Sequence, residues 1–257
     1  MSEKKWRFLP LSVNDAYTNM AIDEAILRSL AEDNSIPNTV RLYRWNPSAV
    51  SIGYFQNLHL EVDLDKAKKM HVDVVRRLTG GGAVYHDYHG EITYSVIARL
   101  EGSGIPKGIL DSYRYICNGL IIALKNMRID AEFRPYNDIL VNGKKISGSA
   151  QTRKVGIILQ HGTLLVDVNV DKMFSLLKVP NEKIRDKLIA SVKERVTSLK
   201  HVLGNKPSFD YVAEALKKGF SGALKVDFYH RELFDIEKEK LPSLIEKYKD
   251  YQWLNLR

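Results

Sequence analysis

The chain holds a single cysteine in 257 residues. That excludes an internal disulfide and any thiolate-rich metal centre, and it agrees with a reducing compartment. No stretch approaches the roughly 18 apolar residues of a membrane span. Low-complexity tracts and fixed-period repeats are also missing. Residues 1–10 carry lysines but lead into Ser12, Asn14 and Asp15, not into the apolar core of a signal peptide. The sequence therefore predicts a cytoplasmic protein with no membrane anchor. Neither the Gly-x-x-x-x-Gly-Lys-Ser/Thr phosphate loop nor a Gly-x-Gly-x-x-Gly turn opening a helix occurs. No basic run interleaved with aromatics is present, so nucleic acid is not an expected partner. His-Cys and His-His spacings suited to zinc are lacking too.

What is there suffices for one large core. Hydrophobic residues make up 44% of the chain, and the length predicts a single domain over 1–257. Lysine and arginine exceed aspartate and glutamate by 39 − 31 = 8. This excess favours anionic ligands or an acidic protein partner, although a solvated basic face would account for it equally well.

Hydrophobic spacing predicts a helix over 15–31, with Ile22, Ala25, Ile26 and Leu30 on one face and Asn14 or Asp15 as N-cap. Strands follow at 40–43 and 49–53 around an Asn46-Pro47-Ser48 turn, then a short helix at 62–70 and strands at 72–76, 83–86 and 92–98. After a glycine-containing loop at 102–108, a helix over 111–126 carries Cys117 on its apolar face, which marks that thiol as core. Asn142-Gly143 predicts a two-residue hairpin turn between strands 138–141 and 144–149. Regular alternation would point Lys145, Ser147 and Ser149 the same way. A strand at 157–168 and helices over 171–188 and 209–220 complete the pattern, and a tail at 237–257 has the spacing of a docking helix or of one packed on its own core. The fold class is α/β (α+β), a mixed and largely antiparallel sheet flanked by helices.

Two segments carry the chemistry. Arg76-Arg77-Leu78-Thr79-Gly80-Gly81-Gly82 places three glycines after a strand, which loses more backbone entropy on folding than other residues would. A main chain without Cβ atoms admits a ligand closely, and its N–H groups can face phosphate oxygens beside an arginine. A structural turn flanked by surface arginines is the plainer explanation. In the hairpin, Asp138 and Lys145 could hold a magnesium ion and an anion near one another; an exposed lysine hairpin is the alternative. His161 lies in an apolar strand, where a satisfied core histidine is the default.

Five spaced motifs in one order resemble the biotin/lipoate protein ligase family, in its lipoate–protein ligase A branch. They are Asn19-Met20-Ala21-Ile22-Asp23-Glu24-Ala25, Ser51-Ile52-Gly53-Tyr54-Phe55-Gln56-Asn57, the Arg76–Asp87 block, Lys145–Ala150 and His161–Leu165. The resemblance implies a catalytic domain related to class II aminoacyl-tRNA synthetases. It implies ATP and magnesium as cofactors and lipoate as substrate, activated as lipoyl-AMP and transferred to a lysine of lipoyl carrier domains, those of 2-oxoacid dehydrogenases and the glycine-cleavage H protein. Carried over on matching positions, Lys145 is catalytic. Arg77, Gly82, Ala83, Val84, Tyr85 and Lys145 contact ATP. Trp45, Gly81, His86, Lys145, Ser149 and His161 line the lipoate site, and Asp138 meets magnesium.

By the same resemblance, family members that work alone carry a C-terminal accessory domain; none is expected within 1–257, and a separately encoded accessory subunit is expected in its place. Two rival readings stand beside the ligase. One is an octanoyl- or lipoyl-transferase of the same fold, which uses a cysteine nucleophile and no ATP and for which the only thiol is Cys117. The other is a non-catalytic lipoate- or adenylate-binding subunit. Biotin attachment fits less well, because the glycine block lacks that branch's alternating Gly-Arg pattern.

Overall fold

The computed structural model describes residues 5–178 and 185–257. Its centre is an eight-stranded mixed sheet in the order β11-β1-β2-β6-β10-β9-β8-β7. From β2 (Thr39–Trp45) through β6 (Glu91–Arg99), β10 (Ile157–Leu165), β9 (Lys144–Lys154) and β8 (Asp138–Val141) to β7 (Glu132–Arg134), all neighbours are antiparallel. Among the described strands of this sheet, β1 (Lys5–Asn14) alone pairs in parallel, with β2 and with β11 (Asp227–His230). A second sheet, β4-β3-β5, is built from β3 (Ala49–Ile52), β4 (Asp73–Arg76) and β5 (Val84–His86). The expected mixed, largely antiparallel sheet with flanking helices is what forms.

Period-two alternation divides the large sheet's burial. Ile92, Tyr94, Val96 and Ile158 face α4 (Ile109–Asn126) and α8 (Phe209–Leu224) in the largest apolar cluster. Ile97, Ile157 and Leu159 face the other way, onto α1 (Ala16–Glu32). The Asp15 carboxylate caps α1 by accepting from the Thr18 N–H at 2.7 Å. Gly119 and Gly219 let α4 and α8 approach closely, since a Cβ on Gly219 would lie 2.2 Å from the Gly119 carbonyl oxygen.

The tail is α9 (Asp235–Lys238), α10 (Leu241–Lys249) and α11 (Tyr251–Leu254), and α10 buries Leu244 and Tyr248 against α1. It packs on its own core. Several expected bounds change. The helix expected over 62–70 is two turns, α2 (Leu58–Glu61) and α3 (Leu64–Lys69), because Asp63 caps the second and Val62 bridges to Leu177. Strand 157–168 ends at Leu165. The helix expected over 171–188 is α5 (Val170–Leu176) and α6 (Arg185–Arg195), and its middle, 179–184, lies outside the described residues. Strand β1 was not expected: its Pro10 and buried Arg7 break the alternating pattern, and the Arg7 charge is paired with the distant Glu237, 2.5 Å away, while its Nε donates to Thr39 Oγ1. Among the described residues no helix is long and apolar enough to cross a membrane.

Candidate active site

A cavity of about 350 Å³ opens on the α1 side of the large sheet, where the small sheet and its glycine turn face β9 and β10. Trp45, Arg77, Gly81, Gly82, Ala83, Val84, Tyr85, His86, Lys145, Ser149 and His161 all line it. Asp138 adjoins it through an ion pair, its Oδ1 2.7 Å from Lys145 Nζ. The contact is a charge pair without an aligned hydrogen bond.

A β-bulge decides which way the lysine points. Asp138 pairs with Gly148 and Ile139 with Ser147, but Leu140 pairs with Lys145, so one residue of β9 is unmatched. Cross-strand partners share a face, and a one-residue insertion flips every side chain beyond it. Lys145 therefore joins Asp138, Gly148 and Ala150 on the cavity face, whereas Ser147 and Ser149 turn to the α4 side. The expectation that Lys145, Ser147 and Ser149 point together is thus corrected. The Ser149 hydroxyl is bonded to Tyr94 Oη at 2.8 Å and lies 3.6 Å from Cys117 Sγ, so the side chain points toward the core while the residue still borders the cavity.

The lysine's bed is glycine for a steric reason. A Cβ on Gly148 would come within 2.8 Å of both Cε and Nζ of Lys145. Across the cavity, Gly81 adopts φ +90°, a left-handed value suited to glycine. A Cβ on Gly53 would sit 2.0 Å from the Gly81 carbonyl oxygen, so the loop after β3 and the glycine turn interlock.

Arg77 holds that turn from within. Its Nε donates to Thr79 Oγ1, one terminal nitrogen to the Ser51 carbonyl and Oγ, and the other to the carbonyls of Gly80 and Gly82, all at 2.7–3.1 Å. These bonds use the five donors a guanidinium has. In this conformation all five donors go to protein, so what Arg77 offers the cavity is its charge. Its charge persists all the same. Burial pushes the guanidinium down to about 10, and its five bonds all go to neutral hydroxyl or carbonyl oxygens. An unpaired buried cation beside the cavity favours an anionic occupant.

Two imidazoles back the turn. His161 Nε2 lies 2.8 Å from Thr79 Oγ1 and its Nδ1 3.4 Å from Asp23 Oδ2. His86 Nε2 lies 2.8 Å from Ser51 Oγ and its Nδ1 2.7 Å from Glu91 Oε1. Burial lowers the His161 imidazole below its ordinary value against the pull of the Asp23 carboxylate, and the Arg77 charge adds to the lowering. Burial works against the Asp23 carboxylate, but the His161 bond, the Arg41 charge and the Ser95 hydroxyl outweigh it, so Asp23 lies below the usual range. Trp45 stacks on His86 at 4.0 Å and donates through Nε1 to Thr93.

Asp23, Ser51, Thr79 and Glu91 escaped the sequence reading as site residues. A signal existed for one of them: Asn19 and Asp23 are four apart on α1, on the stripe that meets the sheet, and both are buried. Cys117 lies in the core as expected, at 0% exposure. It is nevertheless close to the motifs, with Gln160 donating to its sulfur at 3.5 Å, and burial pushes the thiol up. Among the described residues no group of three or more His, Cys, Asp or Glu side chains could hold a metal ion.

Residues 15–221 match the lipoyl protein ligase A/B catalytic domain, and the chain belongs to that family. It is 37% identical to the octanoyltransferase LipM of Moorella thermoacetica, over 100% of both chains, and 33% identical to LipM of Bacillus subtilis, over 98% of this chain and 99% of that one. Among solved structures it resembles the bi-partite lipoate protein ligase of Thermoplasma acidophilum, described with its E2 lipoyl domain, with TM-score 0.88 and 33% identity over 99% of this chain and 98% of that one. It also resembles a lipoate-protein ligase A bound with ATP, with TM-score 0.82 and 31% identity over 97% and 98%.

Proposed function

We propose that this chain is an ATP-dependent lipoate–protein ligase, which forms lipoyl-AMP and passes the acyl group to a lysine of a lipoyl carrier domain. One observation carries the choice over its sister chemistry: the only thiol is fully buried on the α4 face of the sheet, while Lys145 stands on the cavity face. A cysteine nucleophile needs access and a lowered pKa, and Cys117 has the opposite of both. The ATP-bound ligase structure agrees with this reading.

The acyl chain is assigned to the apolar end of the cavity, against Met20, Tyr43 and Trp45. A volume of about 350 Å³ suits a small acid of this kind. In activation, a carboxylate oxygen attacks the α-phosphorus and pyrophosphate leaves. Lys145, 42% exposed in its side chain, and the buried Arg77 charge reduce the repulsion between the two anions. Gly82 to Tyr85 offer main chain to the nucleotide. Magnesium commonly arrives with a nucleotide and uses one or two carboxylates; Asp138 is a single carboxylate at the cavity edge, which fits, and the ion would there neutralise phosphate charge. In transfer, the carrier's amine attacks the acyl carbonyl, AMP leaves, and the Lys145 ammonium faces the oxyanion that forms. The basic surface suits acidic carriers, and a separate accessory subunit remains part of the proposal, by analogy with the bi-partite enzyme.

Octanoyl transfer without ATP is the second reading, favoured by the names of the curated relatives. Weighing a lipoyl domain by mass spectrometry tests both. We expect modification with ATP, magnesium and lipoate or octanoate, unchanged by Cys117→Ala. Modification from an octanoyl thioester alone, abolished by Cys117→Ala, would replace the ligase with the transferase.

A further inference from the structure

The hydroxyls of Ser51 and Thr79 join the two histidines to Arg77, and the bonding pattern fixes the direction of every proton in the network. Arginine cannot accept, so Ser51 Oγ accepts from Arg77 at 3.0 Å and Thr79 Oγ1 accepts from its Nε at 3.1 Å. Each hydroxyl keeps one proton to donate and one lone pair to accept with, and each has an imidazole Nε2 at 2.8 Å. The carboxylates decide between the two: Glu91 and Asp23 accept from the Nδ1 that faces each of them, so a ring with one proton carries it on Nδ1 and its Nε2 accepts from the hydroxyl. This assignment comes from the network, as tautomers must.

The two chains run Glu91–His86–Ser51 from the small sheet's side and Asp23–His161–Thr79 from α1 and β10. They meet on one guanidinium, whose other donors hold the carbonyls of Gly80 and Gly82. Residues aimed at the ligand and residues aimed at the clamp are therefore different sets. His86 and His161 spend both ring nitrogens on protein, although both border the cavity.

We infer that Ser51 and Thr79 are positioning residues, which couple two buried imidazole–carboxylate pairs to the Arg77 clamp and so set the glycine turn that receives the acyl phosphate. The inference rests on the ligase reading for its last clause only. Removing either hydroxyl leaves an imidazole acceptor and an arginine donor unpaired at once, which loosens the turn without touching the apolar slot. Misplacement of about 1 Å at such a turn can lower turnover by as much as about 100-fold. A residue that merely supports packing would instead lower stability and leave turnover per folded molecule intact.

The test has a kinetic and a spectroscopic arm. Ser51→Ala and Thr79→Val should each lower kcat at least about tenfold, with KM for the acyl donor within about twofold of the parent. Thr79→Ser, which restores the hydroxyl, should return kcat to near the parent's. Kinetics are measured with whichever acyl donor the parent chain uses, so a failed ligase reading leaves this arm readable. Parental kcat in Thr79→Val, or Thr79→Ser as impaired as Thr79→Val, overturns the inference. Nitrogen-15 NMR of histidine-labelled full chain, free of substrate, should show His86 and His161 as Nδ1–H tautomers, and Ser51→Ala should shift the His86 Nε2 resonance. An Nε2–H tautomer at either ring overturns it whatever the reaction proves to be.

Discussion

Lys145 and Ser149 lie on one strand four residues apart, yet they face opposite sides of the sheet: Lys145 pairs with Leu140 across a bulge, and Ser149 pairs with Gly162 beside Tyr94. The bulge delivers the only cationic side chain of the Lys145–Ala150 motif to the cavity and commits the serine to the core. Lys145→Met should consequently cut lipoate-dependent pyrophosphate exchange by about 100- to 1,000-fold, the usual consequence of removing one electrostatic stabiliser. Because the side chain is partly exposed and packs on glycine, its melting temperature should stay within a few degrees of the parent's, as about ±0.5 kcal/mol at surface sites implies. Near-parental exchange would remove Lys145 from the chemistry.

Gly148→Ala probes the bed of that lysine. The new methyl would lie 2.8 Å from Cε and Nζ, and the flexible end of the side chain would move in preference to the strand. Turnover should fall while thermal stability holds, and a crystal structure of the variant should show the ammonium displaced from Asp138. An unmoved lysine with full activity contradicts the steric argument. Gly53→Ala differs in kind, since its methyl would meet main chain, the Gly81 carbonyl oxygen at 2.0 Å. Overpacking of this sort destabilises by about 1–3 kcal/mol, and urea denaturation should read that loss together with lost activity.

How much of this was legible in the sequence depends on the range of the forces involved. Local signals gave α1, the Asn142-Gly143 hairpin and the core placement of Cys117, because capping, turn geometry and helical spacing act over a few residues. The motif order located Lys145, Asp138 and the glycine turn together, and the cavity brings them there. The bulge was not legible: an alternating strand and a bulged one read alike until the partner strand is known. Nor were the bonds of Arg77, three of whose five acceptors are carbonyls, which every residue carries. Strand β1 depends on Arg7 meeting Glu237, 230 positions away.

Acid should weaken the fold in two windows. The His161 imidazole lies below its ordinary value in the folded chain because burial disfavours its charge. As pH falls through about 6.5 the unfolded chain takes up that proton first, so stability declines from there down to the folded value. Asp23 is lowered too; its contribution is present above the unfolded carboxylate value near 3.9 and is lost as pH falls through the lower, folded one. Urea midpoints between pH 8 and pH 5 should therefore drop in the parent chain and drop less in His161→Gln. Equal slopes in the two would show that the imidazole is not held neutral by burial.

Arg76 and Arg77 are neighbours with opposite duties, and the last prediction separates them. The Arg76 guanidinium donates to the carbonyls of Gly53, Tyr54 and Gln56 on one side and of Trp253 and Leu254 on the other, and Trp253 Nε1 returns a bond to the Arg76 carbonyl at 3.0 Å. The end of α11 is thereby fastened to the loop that interlocks with the glycine turn. Bonds to a charged donor contribute about 1.5–3 kcal/mol each when measured singly, and Arg76→Lys cannot span both groups of carbonyls. We expect it to destabilise the chain by about 2–3 kcal/mol. Ending the chain after Asp250 should also destabilise it, but the two changes together should lose less than their sum by about 0.5–3 kcal/mol, because they break shared bonds. Chemical denaturation of the two single variants and the double variant closes the cycle; strict additivity would mean that α11 and the loop are held independently, and that Arg76 does not tie them.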